Sequence, residues 1–350
     1  MVTNKTNHIL VIRLSAMGDV AMTVPVLLGV LKKYPQVKIT VLTKGFTAPI
    51  FENILNVSVF KADVKGRHKG FLGLWKLYKE LKGLQIDAVA DLHNVLRSSI
   101  LKQFFKLSTI PFIQMDKGRA AKKALVNPER TSFIPISTTF ERYSEVFGKL
   151  GYPIAITEME TLSKRPIPES AKTLIDFEGK MLIGIAPFAA FSGKMYPLPL
   201  MEKVLSDLNA SNKYSIVLFG GGKKEIEVLA KWESQFNNCS NAAGKLSFSD
   251  ELSLISNLQL MLAMDSGNAH LAAMFGVPTV TIWGVTHPYA GFSPFNQPKH
   301  HALLSDKKKY PAIPTSIYGN KYPDGYDNVM ETILPETIVQ KISEILSVSV

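Results

Sequence analysis

Residues 258–284 contain the pattern that most restricts how this chain can fold. An apolar run ends abruptly at Asp265-Ser266-Gly267, a helical segment rich in alanine, leucine and methionine follows, and residues 278–284 again read as a strand. A strand, polar turn, helix and strand in this order indicate a parallel sheet with a right-handed crossover. The free backbone N–H groups at such a helix start favour an anion, most often a phosphate.

The side chains of this turn allow two interpretations. Ser266 is placed to cap the helix, and His270 lies on the first helical turn, facing the same edge of the sheet. These residues can therefore help to bind the anion. The simpler alternative is that Asp265 and Ser266 only cap a helix and that His270 is a surface histidine. The turn alone does not decide between the two.

A second strand, turn and helix stands at the amino terminus. Residues 8–14 read HILVIRL, a buried-strand pattern, and a polar turn with Gly18 and Asp19 follows. Because Pro25 has no N–H to donate, the next helix either begins near Thr23 or kinks at the proline. The turn holds one glycine and lacks the Gly-x-Gly-x-x-Gly spacing, which argues against a dinucleotide cofactor.

Four segments carry a family resemblance. They are ILVIRLSAMGDVAMTVP at 9–25, DLHNVLRSS at 91–99, IGIAPFAAFSGKMYP at 183–197 and MDSGNAHLAAMFGVPTVTIWGVTHP at 264–288. In order and spacing they resemble the family 9 glycosyltransferases, the lipopolysaccharide heptosyltransferase family, and the first and last segments are the specific ones. The resemblance implies a GT-B fold, with two Rossmann-like α/β domains facing each other across a central cleft. It also implies an inverting, metal-independent transfer from a nucleotide sugar, usually ADP-heptose, to a sugar on lipid A.

Strand and helix patterns alternate through both halves of the chain, as such a fold requires. We expect an N-terminal Rossmann-like acceptor domain over 1–165 and a C-terminal nucleotide-sugar domain over 180–334. A polar stretch with two prolines joins them. The last segment, 335–350, is expected to be a helix, and the resemblance implies that it packs back on the first domain.

Two charged residues are expected to carry the chemistry. Inverting transfer needs a base at the acceptor hydroxyl and stabilisation of the departing diphosphate. By the resemblance, Asp19 matches the proposed base and Lys194 the phosphate-facing lysine. From the residues alone, Asp19 can equally be a helix cap, and its place at a helix N-terminus favours the charged, less basic form. A lone loop lysine is otherwise usually a solvated surface residue.

The other candidates are expected to bind substrates. Asp265 repels a diphosphate, so we expect it to orient the turn or to accept hydrogen bonds from donor-sugar hydroxyls. Arg97 can hold an acceptor carboxylate or phosphate in a bidentate contact, whereas His93 is more typical of a packed polar residue than of a catalyst. The predicted substrate-binding set is Gly18, Asp91, Arg97, Ser192, Asp265, Ser266, Gly267, Asn268 and His270.

Cysteine content and hydropathy restrict the compartment and the cofactors. A single cysteine, Cys239, excludes an internal disulfide and a cysteine metal cluster, consistent with a reducing cytoplasm. No His-Glu-x-x-His or similar spacing is present, so we expect neither a metal nor a cofactor.

The first apolar run is strand-like and is followed by Asp19, so no signal peptide is visible. The longest uncharged apolar stretch, 20–31, is too short to span a bilayer. We expect a cytoplasmic monomer.

The excess of basic over acidic residues lies entirely in residues 1–160. Of 40 basic and 29 acidic residues, residues 1–160 hold 23 and 12, which leaves 17 of each in the remainder. Two clusters stand out: Lys61, Lys65, Arg67, Lys69, Lys76, Lys79 and Lys82, and then Lys117, Arg119, Lys122 and Lys123. Such a face attracts an anionic membrane or a phosphorylated acceptor, or it only solubilises the protein. Nucleic acid is the weaker partner, because no binding motif accompanies the charge.

These observations together predict a GT-B glycosyltransferase, peripherally bound to the inner membrane, that moves heptose from ADP-heptose to a lipid A-linked inner-core acceptor. One alternative keeps the class and changes the nucleotide sugar and the surface glycan. Another is a non-catalytic nucleotide-sugar or anionic-glycan binding protein, which the presence of both Asp19 and Lys194 disfavours. A nicotinamide oxidoreductase is disfavoured by the missing glycine fingerprint.

Overall fold

The computed structural model describes residues 8–175 and 179–348, and the chain divides into two compact α/β units. The first unit comprises residues 1–119 and 137–161, and the second comprises 120–136 and 162–350. Each unit is built on one parallel sheet, as predicted for the fold class. Residues 120–136, which lie within the predicted first domain, belong to the second unit.

The sheet of the first unit has five parallel strands in the order β3-β2-β1-β4-β5. The strands are β1 (His8–Ile12), β2 (Lys38–Thr43), β3 (Val57–Lys61), β4 (Ala88–Asp91) and β5 (Phe112–Gln114). The central strand pairs with β2 on one side and β4 on the other, and residues 9–12 are fully buried. This burial explains the unbroken apolar run, because a strand covered on both faces has no solvent-facing side to make polar.

Helices cover this sheet and connect its strands in sequence. They are α1 (Met17–Ala21), α2 (Thr23–Lys33), α3 (Gly70–Lys82), α4 (Leu96–Phe105) and α6 (Thr139–Lys149), while α5 (Arg119–Leu125) runs from the first unit into the second. Helix α2 begins at Thr23, directly after the short α1, so Pro25 lies in its first turn, where its missing N–H leaves no helical hydrogen bond unmade. Thr138 and Glu141 form a capping box that fixes the start of α6.

The sheet of the second unit has six parallel strands in the order β11-β10-β9-β6-β7-β8. The strands are β6 (Met181–Ala186), β7 (Tyr214–Leu218), β8 (Cys239–Asn241), β9 (Leu260–Met264), β10 (Thr279–Trp283) and β11 (Ala302–Leu304). The two edge strands, β8 and β11, were not predicted. Each has three residues, which is too short for an alternating or apolar pattern to show.

The helices of the second unit include the last helix of the chain. They are α7 (Glu169–Lys172), α8 (Leu198–Ala210), α9 (Lys223–Gln235), α10 (Phe248–Ile255), α11 (Gly267–Ala273) and α12 (Pro335–Val348). Helix α12 belongs to the second unit and packs against α8, and its expected packing on the first domain stays a prediction. Its apolar stripe of Ile338, Ile342 and Leu346, spaced by four residues, is buried in the core of that unit.

The segment 120–136 is held to the second unit by specific contacts. Both terminal nitrogens of the Arg130 side chain donate to backbone carbonyls, Nη1 to Ala312 at 3.3 Å and Nη2 to Ile313 at 2.7 Å. The ring of Phe133 contacts the rings of His287 and Tyr289 at centroid distances of 4.9 and 4.8 Å. The segment takes three basic residues and one acidic residue with it, so the first unit keeps 20 basic and 11 acidic residues.

Candidate active site

The predicted donor residues lie on loops that follow three adjacent strands of the second sheet. Strands β10, β9 and β6 are neighbours, and because they are parallel their carboxyl ends meet at one edge. Ligands of open α/β sheets bind at this kind of edge. Asp265 follows β9, Thr286 follows β10, and the short helical turn Ser192–Lys194 follows β6.

Lys194, Asp265 and Thr286 form a connected group that we call the lysine cluster. Lys194 Nζ lies 2.9 Å from Asp265 Oδ2, and Thr286 Oγ1 donates to the same oxygen at 2.9 Å. Asp265 is 6% exposed and the Lys194 side chain 16%. A buried carboxylate thus holds the ammonium group at a fixed position near the edge of the sheet. That Asp265 orients the turn and accepts hydrogen bonds from donor-sugar hydroxyls stays a prediction.

Two glycines make room for the loop that carries Lys194. Gly193 O accepts a hydrogen bond from Val285 N at 2.9 Å, which joins the loops after β6 and β10. Gly319 has a φ of +76°, and a Cβ atom there would overlap the aliphatic stem of Lys194. Glycine at 319 is therefore required both by the backbone conformation and by the close approach of the lysine.

The residues that follow Asp265 differ from the prediction in one detail. Ser266 stands at the N-cap position of α11, but its side chain makes no cap hydrogen bond. Its Oγ atom is buried and has no hydrogen-bond partner among the described residues. Gly267 and Asn268, half-buried, open the helix, and His270 is buried on its first turn rather than at the surface. A buried hydroxyl without a partner is costly unless a ligand or water uses it.

Ser192 lies at the start of the same helical turn as Lys194. Its Oγ atom and the hydroxyl of Tyr322 are 3.2 Å apart. Tyr322 was not among the predicted residues. The pair places two hydroxyl groups next to the loop of the lysine cluster, so both can contact a ligand held there.

In the first unit, Asp19 is paired with a buried arginine, and we call the two the aspartate cluster. Arg13 Nη2 lies 2.5 Å from Asp19 Oδ2, and the N–H of Ala16 donates to the same oxygen at 3.2 Å. Arg13 Nη1 donates to Leu92 O at 2.6 Å. In the part of the chain that the structure describes, no partner falls on Asp19 Oδ1, and the side chain is 26% exposed. One carboxylate oxygen is anchored and the other is available.

The surroundings of Asp19 are positively charged and partly desolvated. Tyr143, fully buried, donates from its hydroxyl to Asp19 O at 3.2 Å. His93 Nε2 lies 3.4 Å from Ser15 Oγ, and its Nδ1 has no partner among the described residues. Burial, followed by the positive charges of Arg13 and Lys117, lowers the pKa of His93 to about 3. His93 is therefore a neutral imidazole at physiological pH.

Asp91, a predicted substrate ligand, forms hydrogen bonds within the protein through both carboxylate oxygens. It is fully buried at the end of β4, and its Oδ1 accepts from the N–H groups of His93 and Asn94 at 3.0 Å each. Its Oδ2 accepts from Gln114 Nε2 at 2.8 Å. Because both oxygens bond within the protein, Asp91 fixes the loop that carries His93.

The remaining two predicted residues of the first unit lie on helix starts. Gly18 is buried in α1 one residue before Asp19, and the carbonyl oxygen of Gly18 accepts the hydrogen bond of Met22 N. Arg97 is exposed in the first turn of α4. Its contact with an anionic group of the acceptor stays a prediction.

Within 8–175 and 179–348, no group of three or more His, Cys, Asp or Glu side chains is arranged to hold a metal ion. In the same residues, no helix combines the length and the apolar character needed to cross a bilayer.

Comparison with known proteins identifies the class. A family model described as glycosyltransferase family 9 (heptosyltransferase) matches residues 74–318, and the chain belongs to that family. It is a glycosyltransferase, and the fold is GT-B. Solved structures with the same fold include a family 9 glycosyltransferase from Veillonella parvula, with a TM-score of 0.74, 20% identity and 98% of each chain covered. Another is Escherichia coli heptosyltransferase WaaC with ADP-2-deoxy-2-fluoro heptose, with a TM-score of 0.68 and 20% identity, over 96% of this chain and 99% of that chain.

Curated relatives narrow the class further. The chain is 27% identical to the lipopolysaccharide core heptosyltransferase OpsX of Haemophilus influenzae, over 82% of this chain and 81% of that protein. It is 26% identical to lipooligosaccharide heptosyltransferase 2 of Haemophilus ducreyi, over 97% and 99%. The relatives are thus enzymes of lipopolysaccharide biosynthesis, and membership of a transferase family sets aside the non-catalytic binding protein.

Sequence reasoning missed the partners of both charged residues. Arg13 had a signal, since a charged residue at the end of the buried run HILVIRL needs a buried partner. Thr286 lies within the quoted segment 264–288 but was not singled out, and Gly319 had no signal, because it meets Lys194 from a distant point in the sequence.

Proposed function

We propose that this enzyme transfers heptose from ADP-heptose to a lipid A-linked inner-core acceptor, with inversion at the anomeric carbon. The observation that carries the proposal is the pair of anchored charges, a carboxylate with one available oxygen in the first unit and an ammonium group fixed by a buried carboxylate in the second. The names of the heptosyltransferase relatives and the ADP-sugar in the WaaC structure support the choice of donor.

On the acceptor side, Asp19 is the proposed base. Its Oδ2 is held by Arg13 and by the N–H of Ala16, so Oδ1 can receive the proton of the acceptor hydroxyl. The freed oxygen attacks the anomeric carbon, and the bond from that carbon to the diphosphate breaks. A single displacement of this kind inverts the configuration. The fixed orientation of the carboxylate holds Oδ1 in place for the proton transfer.

On the donor side, Lys194 is the proposed counter-charge for the diphosphate. Negative charge grows on the leaving group as the glycosidic bond breaks, and an ammonium group already in position stabilises that charge without reorganisation. Ser266 Oγ, Ser192 Oγ and the N–H of Asn268 are proposed to donate to phosphate oxygens. The neutral His93 can accept or donate a hydrogen bond to the acceptor sugar without adding a charge.

The donor is tested with a panel of nucleotide sugars. We expect ADP-heptose to raise the unfolding temperature most and to be the one donor that supports transfer to a heptose-acceptor core glycolipid, because bound ligand stabilises the folded state. Activity should persist in EDTA, since the diphosphate charge is met by Lys194 rather than by a divalent ion. If another nucleotide sugar supports faster transfer, the alternative family 9 specificity replaces this one. Loss of activity in EDTA with recovery in magnesium would contradict the metal-independent mechanism.

We further propose that the enzyme acts at the cytoplasmic face of the inner membrane, held by basic residues of the first unit. Not every residue of the predicted cluster is available. Arg67 is paired with Glu80 at 2.9 Å, so its charge is used within the protein. Lys69, Lys76 and Lys79 are exposed and are not ion-paired in the described chain. Each basic residue near an anionic surface contributes about 1 kcal/mol at physiological salt, so three suffice for reversible binding.

Charge reversal of these three lysines tests the membrane proposal. Lys69→Glu, Lys76→Glu and Lys79→Glu together should weaken cosedimentation with anionic vesicles by at least about tenfold and leave donor binding unchanged. The matched control is Lys203→Glu, Lys213→Glu and Lys308→Glu, three exposed lysines of the second unit. Equal vesicle binding by both triple variants would show that the total charge, and not this face, attracts the membrane.

A further inference from the structure

The first turn of helix α3 carries two large apolar side chains in solvent. Phe71 is 64% exposed and Leu72 is 81% exposed, and the two are adjacent in the sequence. Single exposed apolar residues are common on protein surfaces and need no explanation. Two large apolar side chains that are both exposed and adjacent form the kind of patch that marks an interaction site.

The exposed ring of Phe71 lies next to a buried aromatic ring of the first unit. The ring of Phe71 meets the ring of Phe104 edge-on at a centroid distance of 5.2 Å. Trp75, one turn further along α3 and half-buried, meets the same ring at 5.0 Å. Phe104 belongs to the core of the first unit. These contacts hold the outer side chains at a fixed position above the core rather than leaving them on a loose loop.

The rim of the patch is basic. Lys69 precedes the helix, Lys76 lies one turn beyond Leu72, and Lys79 Nζ lies 5.6 Å from the centre of the Trp75 ring. The nearby acidic side chains are engaged internally. Glu80 bonds to Arg67 and His68, and Asp63 accepts from backbone N–H groups of its own loop. Two exposed apolar residues flanked along the chain by lysines without ion-pair partners complement an anionic lipid surface.

We infer that Phe71 and Leu72 form an insertion tip that enters the acyl region of an anionic bilayer while Lys69, Lys76 and Lys79 contact the headgroups. The tip deepens the proposed membrane association by assigning it two apolar residues in addition to charge. An interfacial helix start of this kind enters the bilayer by about 5–10 Å. Trp75 follows the tip by one helical turn, so it comes close to the acyl chains without leaving the protein surface.

The three tryptophans of the chain allow a direct measurement. Trp232 and Trp283 are 1% exposed in the second unit, whereas Trp75 stands beside the tip. Vesicles of phosphatidylglycerol and phosphatidylcholine with brominated acyl chains should therefore quench the fluorescence of Trp75 and spare the other two. We expect clear quenching of the full-length enzyme with anionic vesicles and none with neutral vesicles.

A tip variant and a matched control complete the test. Phe71→Ser with Leu72→Ser should abolish the quenching and lower the vesicle partition coefficient by at least about tenfold. The control is Leu55→Ser with Leu334→Ser, which removes apolar side chains of similar exposure, 82% and 57%, and should behave like the parent enzyme. Circular dichroism should match for all three proteins, and the unfolding temperature of the tip variant should fall by a few degrees at most, because Phe71→Ser removes a single aromatic contact, the one with Phe104.

Other outcomes overturn the inference in distinguishable ways. Binding to anionic vesicles without bromine quenching would mean that the lysines alone bind the membrane. It would refute the insertion of Phe71 and Leu72. A change in oligomeric state on size-exclusion chromatography in the tip variant alone would assign the patch to a protein partner. Transfer to a detergent-solubilised acceptor should be equal in the tip variant and the parent. A lack of transfer in both would count against the proposed reaction and would not bear on the tip.

Discussion

Replacing Asp19 with asparagine is expected to lower kcat by about 10²–10⁴-fold while donor affinity stays within a few-fold, because a positioned general base contributes that much to a rate. The amide is nearly isosteric and can still accept hydrogen bonds from Arg13 and Ala16 N. Its nitrogen would then face the side where Oδ1 now lies, and it cannot take up a proton. Steady-state kinetics with saturating donor, together with donor titration, would measure the two effects separately.

The matched control for this variant is Glu145→Gln. It makes the same change from carboxylate to amide on an exposed position of α6 in the same unit. The control should retain parental kcat. Should Asp19→Asn turn over at the parental rate, Asp19 would have no part in proton transfer. The base would then have to be another group near the acceptor.

The second large effect is expected for Lys194→Ala, which should lower kcat by about 10²–10³-fold and weaken binding of the nucleotide diphosphate. The leaving group would lose the positive charge that meets it as the bond breaks. Lys203→Ala, an exposed lysine of α8 in the same unit, serves as the control and should be unaffected. Isothermal titration with ADP would measure how much the variant weakens binding of the nucleotide diphosphate. Single-turnover transfer would measure how much it slows the chemical step.

Removing Lys194 also leaves Asp265 buried without its ion pair, which can destabilise the fold by several kcal/mol. The double variant Lys194→Ala with Asp265→Asn separates the two consequences, because the amide carries no charge to leave unpaired. We expect the double variant to recover the unfolding temperature and to remain slow. Recovery of activity together with stability would mean that Lys194 acts only by holding the loop, not by stabilising the diphosphate.

Local sequence patterns predicted the strands that are long enough and buried enough to leave an apolar run in the sequence. Strands β1 and β9 are fully buried or nearly so, and their apolar runs are unambiguous. Strands β8 and β11 were missed because three residues are too few to show a period. The membership of 120–136 in the second unit was also missed. It depends on contacts from Arg130 and Phe133 to residues more than 150 positions away, and no local pattern encodes those contacts.

The candidate site shows the same division between local and distant causes. Asp19 and Lys194 were found through the motifs around them, and the structure adds what holds each one. Arg13 was visible as a charge in an apolar strand but was not interpreted. Gly319 could not be predicted, because its need for glycine arises from the stem of Lys194, which lies far away in the sequence. Ser266 was predicted as a cap from its position, and its hydroxyl instead has no partner within the described chain.

The discontinuous first unit has a consequence for biosynthesis. The chain passes from the first unit to the second after residue 119, returns after 136 and leaves again after 161. During translation the first unit can close only once residue 161 has left the ribosome. Until residues 287–317 follow, the apolar side chains of Leu125, Val126 and Phe133 lack the partners that they pack against in the folded chain. An isolated fragment ending near 161 would expose the same side chains permanently, so the two halves are not expected to be separable by a single cut.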